Sequence, residues 1–211
     1  MHEMSVSALR LLFKCIGLGL AALLVACAGQ RANLPPAPPS AAFENYSYVI
    51  GPGDTLSIAV ARNPELSMSV PVRPDGKIST PLVDEMLAQG KTSVQLARDL
   101  EEQLKKYVRD PVVTVIVTGF VGSYADQVRV VGEAARPQFL PYKQKMTLLD
   151  VMIAVGGLTD FAAGNNATIL RTTEGNKQYA VRLKDLIKGG DVSANVEMRP
   201  GDILIIPQSL F

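Results

Sequence analysis

Cys15, Cys27 and His2 are the thiol and imidazole groups of this 211-residue chain, and all lie at its start. Cys27 follows Leu24-Val25-Ala26, which close an apolar run preceded by Arg10 and Lys14. That run, residues 15–26, is apolar apart from two glycines and falls short of the ~20 residues a bilayer-spanning helix needs. A cleaved export signal therefore fits it better than a transmembrane anchor with an incidental cysteine. A cut before Cys27 removes Cys15 and His2, and with them most nucleophile-base pairs and transition-metal sites. The remaining candidates are carboxylates. Asp54 and Asp202 each follow a Pro-Gly pair and Asp75 precedes Gly76; aspartate in such turns ordinarily accepts backbone hydrogen bonds. Two carboxylates can hydrolyse a glycosidic bond, but no pair here stands in a cleft-forming context. No catalytic residue, metal or cofactor is expected.

The small residues before Cys27 resemble the lipobox of bacterial lipoproteins, in which the cysteine thiol is acylated and becomes the first residue of the mature protein. Ala28 stands where an aspartate usually retains such proteins at the inner membrane, so the resemblance implies the outer membrane, lipid-anchored and facing the periplasm. A lipid on Cys27 leaves no thiol for disulfides. Removing Arg10, Lys14 and Glu3 with residues 1–26 leaves 19 of the 21 basic and 19 of the 20 acidic residues, a neutral chain with no nucleic-acid signature. Arg62, Arg73, Lys77, Arg129 and Arg136 could line the path of an acidic polymer, although scattered basic residues are ordinarily solvated surface. The chain has no tryptophan, which argues against a tight sugar-stacking pocket.

The elements that position these residues read as two small α+β modules in series. Residues 28–45, with Pro35, Pro36, Pro38 and Pro39, have the composition of an extended tether, reaching up to roughly 50 Å at ~3.1 Å per residue. In the first module, a strand at 48–50, the turn Gly51-Pro52-Gly53-Asp54 and a strand at 56–60 follow in order, with Gly53 supplying a positive backbone angle. Asp75-Gly76 signals a hairpin joining 69–73 to 77–80, and Pro71 puts the first arm at a sheet edge. Thr92 and Gln95 form a capping box for a helix with Val94, Ala97, Leu100, Leu104 and Val108 on its apolar face. The run 112–117 is apolar throughout and predicts a strand covered on both faces, by this chain or another. After a break at 119–123, strands at 128–131 and 139–140 precede a helix capped by Thr147 and Asp150, with Leu148, Leu149, Met152, Ile153 and Val155 apolar, ended by Gly156-Gly157. Strands at 168–171 and 179–181 flank a turn at 174–176. Finally Arg199-Pro200-Gly201-Asp202 and an apolar strand repeat the wording of the first module's turn.

Tyr48-x-Ile50-Gly51-Pro52-Gly53-Asp54-x-Leu56 with Val72-x-Pro74-Asp75-Gly76-x-Ile78 and Pro81 resembles the first module of the outer-membrane polysaccharide export family. Val131-Gly132-Glu133, Thr147-Leu148-Leu149-Asp150, Gly156-Gly157, Arg171 and Pro200-Gly201-Asp202 resemble a soluble-ligand-binding β-grasp (SLBB) module. The resemblance implies a signal peptide at 1–26, a lipidated tether at 27–45, an export domain at 46–122 and an SLBB-like β-grasp domain at 123–211. It also implies a non-catalytic, ring-forming lipoprotein in a capsular or exopolysaccharide conduit. Its implied partners are further copies of itself, the polysaccharide, and an inner-membrane copolymerase, sometimes coupled to a tyrosine kinase. Larger members add a membrane-crossing helix after a further β-grasp repeat, whereas this sequence stops four residues after Pro207. The expectation is a short form that does not itself open the outer membrane and either docks beneath a separate pore, such as a β-barrel of the same pathway, or serves as a periplasmic ring only. Val83-Asp84-Glu85 replaces the glycine usual after the Pro-Leu pair, so the loop there should differ. The alternative reading is a periplasmic scaffold lipoprotein that binds a soluble ligand or cell-wall fragment.

Overall fold

The computed structural model describes residues 34–39 and 46–209. From Pro36 onward the described residues form one compact unit. Its first module contains β1 (Thr55–Val60), β2 (Met68–Pro71), β3 (Lys77–Thr80), β4 (Val83–Leu87), α1 (Ser93–Leu104) and β5 (Val113–Gly119). The strands β2, β1 and β5 make an antiparallel sheet with β1 in the centre. Leu56, Ile58 and Val60 alternate inward from β1 and join Leu96, Ala97, Leu100 and Leu104 of α1 in one core cluster. Each of the Leu, Ile and Val side chains, fully buried, contributes roughly 1.5–3 kcal/mol of hydrophobic stabilisation. Helix α1 starts with the reciprocal Thr92–Gln95 capping box. Its inward face carries Leu96, while Val94 projects into solvent.

Three expectations are corrected in this module. Residues 48–50 belong to no strand, although Ile50 exchanges backbone hydrogen bonds with Lys91 and Gly90. Asp75-Gly76 does turn the chain, with Gly76 N–H donating to the Arg73 carbonyl, but the arms enter different sheets. Strand β2 pairs with β1 at the sheet edge, and β3 pairs with β4, a strand that begins in the Val83-Asp84-Glu85 segment. The apolar run of β5 is covered on one face only. Val113 and Val115 are buried, whereas Ile116 is 55% exposed. Its outward neighbours Thr114 and Thr118 are also exposed, so the β-branched run reflects strand propensity as much as burial.

The second module contains β6 (Gln127–Gly132), β7 (Phe139–Pro141), α2 (Leu148–Ala154), β8 (Ala167–Arg171), β9 (Lys177–Val181), α3 (Leu183–Lys188) and β10 (Ile203–Ile206). Its five-stranded sheet has the order β7-β6-β10-β8-β9, with β10 parallel to β6 and antiparallel to β8. The closing strand of the sequence is thus the middle strand of the sheet, which is why Leu204 and Ile206 are fully buried. Helix α2 has a second reciprocal capping box, Thr147 with Asp150. Leu148, Val151, Met152 and Val155 face the core, while Ile153 points outward and Leu149 is partly exposed. Gly156 and Gly157 close its end by donating to the carbonyls of Ile153 and Met152. Helix α3 is short and carries no side-chain cap, so no sequence signal announces it.

The proline-rich segment is not a free spacer where it is described. Pro36 forms a parallel bridge with Ala180, Ala37 N–H donates to the Ala180 carbonyl at 3.2 Å, and the Pro39 carbonyl accepts from Glu197 N–H at 3.3 Å. Ala37 is buried in the same cluster as Tyr179 and Val181.

Candidate functional site

The two Pro-Gly-Asp turns share one local construction. In each, the aspartate N–H closes the turn, onto the carbonyl of Gly51 in one case and of Arg199 in the other. Gly53 and Gly201 sit at the third position with φ of 90° and 78°, a region that favours glycine. Each aspartate then folds back to accept from the first residue: Gly51 N–H to Asp54 Oδ2 and Arg199 N–H to Asp202 Oδ2, both at 2.9 Å. Both carboxylates are fully buried. What they do with their remaining capacity differs.

Asp54 joins the first module to the segment leading into the second. Its Oδ1 accepts from Val121 N–H at 2.7 Å and Gly122 N–H at 2.9 Å, and Tyr48 donates its hydroxyl to Oδ2 at 2.5 Å. Four donors therefore converge on one carboxylate, two of them from residues more than sixty positions away. Burial, then the Asp54 hydrogen bond, pushes the Tyr48 hydroxyl pKa far above its usual value, so it remains a donor. The contact is close: a Cβ on Gly51 would lie 2.4 Å from the Gly122 carbonyl carbon and the Ser123 nitrogen. Two edge-to-face aromatic pairs flank it, Tyr48 with Phe120 and Tyr46 with Tyr142, at centroid distances of 5.1 and 5.0 Å. Burial pushes the Tyr46 hydroxyl up to about 12.

Asp202 holds the second module's own frame. Its Oδ2 lies 3.5 Å from Arg171 Nε, and both side chains are fully buried. Arg171 also donates from Nη2 to the Glu197 carbonyl and lies over the Tyr179 ring, 5.1 Å from its centroid. Glu174 extends the network, pairing with Arg199 and accepting from the Tyr179 hydroxyl. Burial outweighs these partners and raises the Asp202 carboxyl from 3.8 to about 6. The folded state thus binds more protons than the unfolded state between those values, and stability falls as pH rises through that window. The span corresponds to at most about 3 kcal/mol. Below it, carboxylates whose pKa is lowered in the folded state, such as Glu101, act in the opposite sense. Melting temperature is expected to decline between pH 5 and pH 7, and Asp202→Asn to flatten that slope; an identical slope in the variant would refute the assignment.

The basic residues do not assemble into one lining. Arg73 and Lys77 pair with Glu85, and Arg73 also with Asp75, all at the exposed β3–β4 sheet. Arg62 and Arg136 are exposed, and Arg129 is half-buried on β6, its backbone N–H donating to the Asp202 carbonyl. A groove of about 500 Å³ lies between β4 and α1, but Lys91 and Asp99 on its wall are paired with each other at 2.6 Å. Cys27 lies outside the described residues, as do most of residues 27–45. Tyr48 and Arg171 carry more of these two junctions than their motif positions suggest, and nothing in the sequence marks Val121 and Gly122 as the partners of Asp54.

Two modules of this construction, joined in series, define a class. Residues 42–118 match the polysaccharide biosynthesis/export protein family and residues 126–206 match the SLBB domain, so the chain carries an export domain and an SLBB domain in series. That family is a non-catalytic transport component. Among its relatives, the EPS I polysaccharide export outer membrane protein EpsA of Ralstonia nicotianae is 29% identical over 185 residues, covering 76% of this chain and 47% of the relative. The protein of the same name from Ralstonia solanacearum is 29% identical over 181 residues, covering 74% and 47%. The chain thus spans about half the length of these curated relatives. No helix among the described residues is long and apolar enough to cross a membrane.

Proposed function

We propose that this protein is a structural component of an exopolysaccharide or capsule export conduit: a lipoprotein anchored through Cys27 and assembled as a ring beneath the outer membrane. The observation that carries the reading is the order of an export module and an SLBB module in one compact unit, fastened through the buried Asp54 carboxylate. A conduit wall must hold its shape while a polymer slides past, and a junction made of four hydrogen bonds to one carboxylate supplies stiffness without a ligand. The five basic residues are dispersed or paired, which suits weak contact with a moving chain better than capture. A polymer bound tightly would not move.

The partners under this reading are neighbouring copies, the polysaccharide, an inner-membrane copolymerase or its tyrosine kinase, and a separate outer-membrane pore. Light scattering of the acylated protein in mild detergent should give a closed oligomer. A monomer at every concentration would instead favour a periplasmic scaffold that binds a soluble ligand or cell-wall fragment through the SLBB module.

A further inference from the structure

The five-stranded sheet of the second module buries one face against α2 and α3 and leaves its other face open to solvent. In register across the open face, Phe139 lies opposite Arg129, Arg129 beside Ile203, and Ile203 opposite Leu170. Val131 and Ile205 form the next row. Phe139 is 56% exposed and Val131 45%, while Ile203, Ile205 and Leu170 are half-buried. Arg129 is the one charged residue at an outward position of these strands. Among the described residues its guanidinium has no ion pair, and Nε is withdrawn from solvent without a hydrogen-bond partner. A cation lying on an apolar face is screened less than one in open water, and the planar guanidinium fork is matched by a carboxylate.

We propose that this face is a weak subsite for an acidic glycan, in which Arg129 receives the carboxylate of a uronic-acid residue and Phe139 packs against the C–H face of its ring. The inference rests on the export reading, which brings a polysaccharide to the protein. Side chains directly opposed in an antiparallel pair stand roughly 5 Å apart at Cβ, so the Phe139 ring and the Arg129 guanidinium reach one sugar together. A pyranose presents C–H groups on its faces and, in a uronic acid, a carboxylate at its edge. The aromatic face takes the first and the cation the second. A neutral glycan would leave the Arg129 charge unmet. Ile203 and Leu170 continue the row and offer the next sugar no polar grip. One ion pair and one ring contact, both open to water, hold a polymer loosely enough for it to move on.

Saturation-transfer difference NMR on the acylated protein in mild detergent tests this, with tetragalacturonate as the probe and maltotetraose as its uncharged counterpart. Tetragalacturonate should receive saturation, strongest at its ring C–H protons, and maltotetraose several-fold less. Arg129→Gln should reduce transfer to tetragalacturonate to the level of maltotetraose, and Phe139→Ala should reduce it several-fold. Salt at about 0.5 M should also weaken it. Arg62→Gln, which removes an exposed cation of the other module, should change nothing. Arg129 and Phe139 lie outside the core cluster, so both variants should melt with the wild type. Transfer that is absent, equal for the two probes, or unchanged in both variants overturns the inference alone. So does a smaller oligomer by light scattering in either variant, which would make the face a contact between copies. Undiminished surface polymer in a strain lacking the protein would overturn the export reading and this inference with it.

Discussion

Asp54→Ala is expected to lower the stability of the protein by at least about 3 kcal/mol, because a buried acceptor with four donors is removed and each stranded donor forfeits roughly 1–3 kcal/mol. The donors are Tyr48 Oη and the N–H groups of Gly51, Val121 and Gly122, and the last two belong to the connection between modules. The damage should therefore appear first at that connection: limited proteolysis within residues 119–126 should accelerate well before the modules themselves melt. Asp54→Asn should be nearly as harmful, since one of its amide faces would present N–H groups to N–H donors. Asp75→Ala is the control. It sits in an exposed turn paired with Arg73, and a change of about 0.5 kcal/mol or less is expected there. Equal melting temperatures for Asp54→Ala and Asp75→Ala would defeat this account of the junction.

The second large effect is expected from Arg171→Met. It leaves the Asp202 carboxylate fully buried without its cation, a situation that typically destabilises by about 3–5 kcal/mol. The Arg171 charge is one of the influences holding the Asp202 carboxyl down, so its loss should also push that group further up and steepen the fall in stability as pH rises. The double variant Arg171→Met with Asp202→Asn removes both charges and should recover most of the loss. If the double variant is no more stable than Arg171→Met alone, the pair is not the source of the effect. Chemical denaturation at pH 5 and pH 7 measures both points.

Much of the local structure was legible because it is written in short-range chemistry. Two capping boxes, two Pro-Gly-Asp turns and the Gly156-Gly157 helix end each depend on residues within a few positions of one another. Partnership across the chain was not legible. The Asp75-Gly76 signal specifies a turn but not which strands it joins, and β3 found β4 instead of β2. The β5 run looked two-sided because Val, Ile and Thr favour strands whether or not both faces are covered. Asp54 could be read as a turn residue, but the second half of its role depends on Val121 and Gly122, which carry no motif. The proline-rich segment shows no periodicity, so its composition suggested a spacer, while one small residue, Ala37, allows it to dock.

The most direct test of the central claim is the amount of polysaccharide at the cell surface when this protein is deleted and restored. Deletion is expected to abolish surface polymer and wild-type protein to restore it, whereas Cys27→Ala should restore little and Asp54→Ala should fail to restore it. Undiminished surface polymer in the deletion strain would contradict a role in export.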